Sequence, residues 1–223
     1  MPSALYNRKY VQNGYYYIYH KSSGGKELFR DEDDYLNFVK TFQYYLTSPT
    51  GKPLSQTKKE DLTQTPSHIQ LSFRILLFVL LPKSIHILIR QNTPPQTNNN
   101  ITNLMRRLSI TYSMYYKNRY DTHESLFDGK YKNINIPDNE KLLYLSKHIH
   151  RMPLDLYPQE TLEKYIYSSY PFYIGVAGKP DWLDTKIISD ILLRSSPGLG
   201  YKNFVENSHL GKDLDKKYIV NGG

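Results

Sequence analysis

The chain contains no cysteine. Disulfides and thiolate metal centres are therefore excluded, and a reducing compartment is suitable. Long hydrophobic runs are also missing: the longest, Ile75 to Leu81, falls far short of the roughly 20 residues that a membrane-spanning helix needs. No secretory signal pattern opens the sequence. The expectation is a cytoplasmic protein without membrane contact. Tryptophan occurs once, as Trp182 in Pro180-Asp181-Trp182-Leu183-Asp184, and suits a packing anchor for a C-terminal extension. No internal repeat, glycine-rich phosphate loop or metalloprotease motif is present, which removes the commonest nucleotide-hydrolysing and zinc-peptidase signatures.

Tyrosine and positive charge are in excess. There are 22 tyrosines among 223 residues and a formal net charge of +8. Tyrosine serves as a core ring with a polar tip, or as a surface on which bases stack. The basic balance favours polyanions, with nucleic acid ahead of a membrane surface. A codon bias toward Tyr, Asn, Lys and Ile explains the same composition, so composition alone names no ligand.

Hydrophobic periodicity gives the elements. Gly14 to His20 is aromatic and β-branched and stops at Ser22-Ser23-Gly24-Gly25, a strand entering a turn. Asp31 to Asp34 heads a helix with Tyr35, Phe38, Val39, Phe42 and Leu46 on one face. Residues 48–67 are polar and form a surface insertion, with Lys58 and Lys59 solvated. A buried strand from His68 to Leu81 turns at Pro82-Lys83 into an alternating strand, Ser84 to Arg90. A long helix follows, with Ile101, Leu104, Met105, Leu108, Tyr112 and Tyr115 as its apolar stripe; Tyr116 and Tyr120 are left to meet bases or solvent. Ser125 to Ile136 suits a ribbon turning at Asp128-Gly129. Asp138 caps a helix that runs to Pro153. This order predicts an α+β fold, an antiparallel β-sheet with packed α-helices. Residues 1–153 are expected to form the main domain, and 154–223 a helical or irregular extension packed on it.

Several ordered segments resemble REP-associated tyrosine transposases, a single-tyrosine HUH-class family. Tyr16 to Ser22, followed by Leu28-Phe29, is similar to the family's Tyr-His-apolar-Tyr-Asn-Arg-Gly strand. Leu126-Phe127-Asp128-Gly129-Lys130-Tyr131-Lys132 is similar to Leu-Phe-Gln-Gly-Arg-Tyr-Lys. Leu145 to Pro153 is similar to Leu-Ser-Arg-Tyr-Ile-His-Leu-Asn-Pro, and Tyr167-Ser168-Ser169-Tyr170 to Trp-Ser-Ser-Tyr. The likeness covers residues 14–205. It implies the ferredoxin-like HUH palm and cleavage of single-stranded DNA. A His-apolar-His pair on one strand face holds a divalent ion. A helical tyrosine attacks the phosphate and forms a phosphotyrosine link.

On that pattern the chain departs at the chemistry. Pro82-Lys83-Ser84-Ile85-His86 stands where the family has Pro-Asn-His-apolar-His. Ser84 replaces the first metal ligand, His148 the nucleophilic tyrosine and Met152 the supporting polar residue; His86 alone remains. Serine and thioether are poor ligands for Mg or Mn. The resemblance with these substitutions implies a binding protein for single-stranded or hairpin DNA that does not nick and needs no cofactor. The rival is an active transposase with Mg or Mn and a displaced nucleophile, Tyr144, supported by His86 and His150. A soft Zn or Cu site from His86, His148 and Met152 is a further reading. Arg106, Arg107, Tyr116, Lys117, Arg119, Lys130 and Lys132 are the expected nucleic-acid contacts. A homodimer, or a heterodimer with a related transposase, is a possible partner.

Overall fold

A computed structural model of the chain describes residues 10–47, 73–94 and 100–207. The expected insertion at 48–67, with Lys58 and Lys59, lies outside these residues. The sheet has four strands: β1 (Tyr15–Lys21), β2 (Phe73–Leu81), β3 (Ser84–Gln91) and β4 (Lys132–Ile136), in the order β2-β3-β1-β4. All pairings are antiparallel. The helices α1 (Glu32–Thr47), α2 (Ile101–Tyr120) and α3 (Asn139–Arg151) are joined after Pro153 by the short α4 (Pro153–Leu156), α5 (Tyr170–Tyr173), α6 (Lys186–Ser195) and α7 (Tyr201–Glu206). The architecture is α+β, as the element order predicts.

Both faces of the sheet are covered, which explains why β2 is apolar throughout instead of alternating. Tyr16 and Ile18 of β1 join Ile85, Ile87 and Ile89 of β3 beneath α1 and α2. Tyr17, Leu88 and Ile136 join Leu142, Leu145 and Ile149 of α3 on the other side, together with Ile188 and Phe204 of the C-terminal helices. A bulge between Ile75 and Leu77 shifts the register, so that Leu76 and Leu77 both enter this second core.

β2 lies at one edge of the sheet, and the C-terminal segment covers it. Bridges join Val79 to Ser168 and Ile75 to Leu183. Leu80 donates to Tyr167 O at 2.9 Å, and Asp184 to Ile75 O at 2.8 Å. An apolar strand edge that would template aggregation is thereby paired. Trp182 packs against Phe42 and Phe78, as an anchor should.

Helix termini follow the sequence signals. Asp31 accepts from the Asp34 N–H, Asn100 from Asn103, and Asp138 from Lys141. Two expectations are corrected. The 125–136 segment is not a self-paired ribbon: β4 pairs with β1, and Phe127 bridges to Ser22. Gly129, with φ of +60°, turns the chain between them. In α2 the apolar stripe ends at Tyr116 instead of Tyr115. Three and four residues after Tyr112 both suit a period of about 3.6, and packing selects the second.

Candidate nucleic-acid interface

Ser84 and His86 project from the same face of β3, toward α3. The Tyr17 hydroxyl lies 2.7 Å from His86 Nδ1, and the Ser84 hydroxyl 2.8 Å from Nε2. A neutral imidazole has one donor and one acceptor nitrogen, so the two hydroxyls satisfy the ring completely. His86 is only 6 % exposed. Burial pulls its pKa down to about 3, and the charges of nearby His148 and Lys21 act in the same direction. The one lone pair that could ligate a metal is engaged by a hydroxyl, which an ion would have to displace.

The α3 positions do not restore a metal shell. Met152 is half-buried at the C-terminal end of the helix. His148 stacks against Tyr144, with ring centroids 5.9 Å apart. His150 turns away into the C-terminal core, where Nδ1 meets the Tyr201 hydroxyl at 2.8 Å and Nε2 meets Ser169 Oγ at 2.7 Å. Its pKa is likewise pulled down to about 3 by burial. His150 therefore has no nitrogen left to assist Tyr144, which corrects that part of the rearranged-site expectation. Among the described residues no group of three His, Cys, Asp or Glu side chains can hold a metal. The donor set does not fit Mg or Mn.

Beside His86 is a feature that the motif comparison missed. Tyr17 and Tyr19 stack at 5.6 Å and 27°, and His86 lies parallel to Tyr19 at 6.4 Å. The Lys21 and Lys132 ammoniums sit 6.0 and 5.8 Å from the centre of the half-buried Tyr19 ring. The alternation of Tyr15, Tyr17 and Tyr19 with period two was the available signal, since it places the three rings on one strand face.

The expected basic and aromatic contacts divide. Arg106, Lys130 and Lys132 are exposed, and Arg107 and Lys117 are half-buried. Arg119 is corrected: it bonds Asp34 at 2.9 Å, Asp31 at 2.8 Å and the Tyr115 hydroxyl at 2.6 Å. Asp34 is fully buried and also accepts from the hydroxyls of Tyr115 and Tyr120 and the Arg30 N–H. A buried carboxylate demands such donors, and this demand holds the Arg119 guanidinium and the Tyr120 hydroxyl against Asp34. Tyr116 is corrected as well. It is 2 % exposed, and its hydroxyl donates to the Glu27 carbonyl at 3.0 Å.

No described helix is long and apolar enough to cross a membrane. No family model matches the chain, and no curated protein matches it either. Among solved structures the chain is similar to a REP-associated tyrosine transposase bound to a REP hairpin. The TM-score is 0.54 at 12 % identity, over 82 % of this chain and 94 % of that one. At this identity the likeness is one of fold.

Proposed function

We propose that the chain is a transposase-like DNA-binding protein that recognises single-stranded or hairpin DNA without cutting it. The observation that carries this reading is the pairing of a closed His86 with an open neighbour, Tyr19 and its two lysines. His86 is neutral and bonded at both nitrogens, so it does not recruit the ion that would polarise a phosphate. Lys21 and Lys132 converge on one aromatic ring. In this reading they bind phosphates, and an unpaired base stacks on Tyr19. Lys130, two residues before Lys132 and exposed, adds to this positive charge. The hairpin held by the similar structure makes hairpin DNA the first ligand to try.

The test is equilibrium binding of a labelled hairpin across a salt series. Tyr19→Ala is expected to weaken binding by about tenfold or more, since base stacking contributes roughly 1–3 kcal/mol. Lys21→Ala and Lys132→Ala should each flatten the salt dependence by about 0.7–0.9 in log–log slope per lost phosphate contact. Absence of hairpin binding at low salt would overturn the reading.

A further inference from the structure

A second aromatic cluster lies at the turn between β2 and β3, against the sheet's other covering layer. There a pocket of about 440 Å³ opens, a size that suits a small organic ligand. Phe29, Tyr35 and Tyr167 form its wall as a continuous stack: Phe29 and Tyr35 are 4.4 Å apart at 19°, Tyr35 and Tyr167 3.7 Å apart at 10°. Tyr165 meets Tyr167 edge-on, and its hydroxyl is anchored on the Leu80 carbonyl at 2.6 Å. Tyr157, 41 % exposed, closes the outer side. Burial raises the phenols of Tyr35, Tyr165 and Tyr167 above their ordinary range, so these rings stay neutral.

The rim carries charges of both signs. Glu27 and Glu160 stand exposed at the pocket, and neither carboxylate forms an ion pair among the described residues. Arg30 and Lys164 are exposed on the same rim. Arg30 is held with its guanidinium 4.1 Å from the Tyr120 ring centre and 5.2 Å from that of Tyr116. A simple cation would use the rings and the acids but would be repelled by Arg30 and Lys164. A simple anion would leave the acids unanswered. A nucleotide uses all three parts, because it presents a π-face, N–H donors and a phosphate.

We infer that this pocket takes one unpaired nucleotide, with its base against the tyrosine wall, its N–H edge on a carboxylate and its phosphate at Lys164. Guanine fits best. Its pairing edge places an N–H beside an amino group, and a carboxylate accepts both in parallel. Thymine sets its N–H between two carbonyls, which a carboxylate repels. Pro82 lines the pocket, and Ser84, two residues on, touches His86. The β2–β3 turn thus borders both the pocket and the Tyr19 platform. The inference draws its biological sense from the DNA-binding reading, but its chemistry is independent.

The test is calorimetric titration of the full chain with guanosine monophosphate, the adenosine, cytidine and uridine monophosphates, and tetramethylammonium. Guanosine monophosphate should bind saturably and more tightly than the other nucleotides. The double substitution Glu27→Gln, Glu160→Gln should weaken it about tenfold or more, and Lys164→Ala less. All the altered side chains are exposed, and circular dichroism checks that the fold is kept. No saturable binding, equal binding of every nucleotide, or tetramethylammonium binding in their place would each overturn the inference. Free nucleotides keep the two readings separable. A chain that takes guanosine monophosphate but ignores the hairpin fails only the DNA-binding reading, and one that binds the hairpin but not the nucleotide fails only this inference.

Discussion

His86 and His150 share the face of the sheet that α3 covers, and each has a hydroxyl on either ring nitrogen. Their surroundings differ. His150 is fully enclosed by Tyr170, Tyr173 and Tyr201, so it ties the C-terminal helices to the sheet. His86 sits at the sheet's end beside Lys21, Tyr19 and His148. The same hydrogen-bonding chemistry is thus a keystone in one place and the floor of a surface site in the other. A histidine's motif position says less about its role than what closes over it.

The largest effect is expected at the keystone. His150→Ala should cost about 3 kcal/mol or more in chemical denaturation, because it opens a cavity and strands both Ser169 and Tyr201. The same change at His86 should cost less, since its site lies at the end of the sheet, near the β2–β3 turn and the exposed Lys21. An equal loss at the two positions would break the distinction between them.

Acid should destabilise the fold through both histidines. Each is held neutral with its pKa pulled from 6.5 to about 3, whereas the unfolded chain takes up its protons near 6.5. Between these values the unfolded state binds more protons. Stability is therefore fully present above pH 6.5 and is lost as pH falls toward 3, by up to about 1.4 kcal/mol per pH unit for each ring. Removing the His150 imidazole should make this dependence shallower in denaturation curves measured at a series of pH values.

Arg119→Ala should come next, as a smaller loss of stability in chemical denaturation, because it deprives the buried Asp34 of a charged donor. Its effect on the salt slope of DNA binding should be absent. Lys130→Ala gives the smallest expected change: no measurable loss of stability and a decrease in that slope of less than one unit. A salt slope that responds to Arg119 and not to Lys21, Lys130 or Lys132 would place the interface on the wrong side of the molecule.

Much of the fold was legible because local signals agreed with the global arrangement. The Asp138 cap, the turn at Pro82-Lys83 and the apolar face of α1 all stand where periodicity and capping put them. The site was only partly legible. Sequence order identified Ser84 and His86 as a strand pair, but not that Tyr17, 69 residues away in the chain, would occupy a ring nitrogen. Arg119 looked like a phosphate contact because the burial of Asp34 is a tertiary fact: an acid at a helix start reads as a cap until the neighbouring helix covers it. Tyr115 and Tyr116 both fit the helical period after Tyr112, and only packing decides that Tyr116 is the buried one. The Glu160 pocket left no motif, since its wall is assembled from α1, the segment before it and the C-terminal chain.

The central claim is recognition without cleavage, and one experiment addresses both halves. The protein is incubated with labelled hairpin DNA and Mg or Mn, and the mixture is divided between a native and a denaturing gel. The account predicts a shifted complex on the native gel and no covalent adduct on the denaturing one. A denaturation-resistant adduct that disappears in Tyr144→Phe would contradict it.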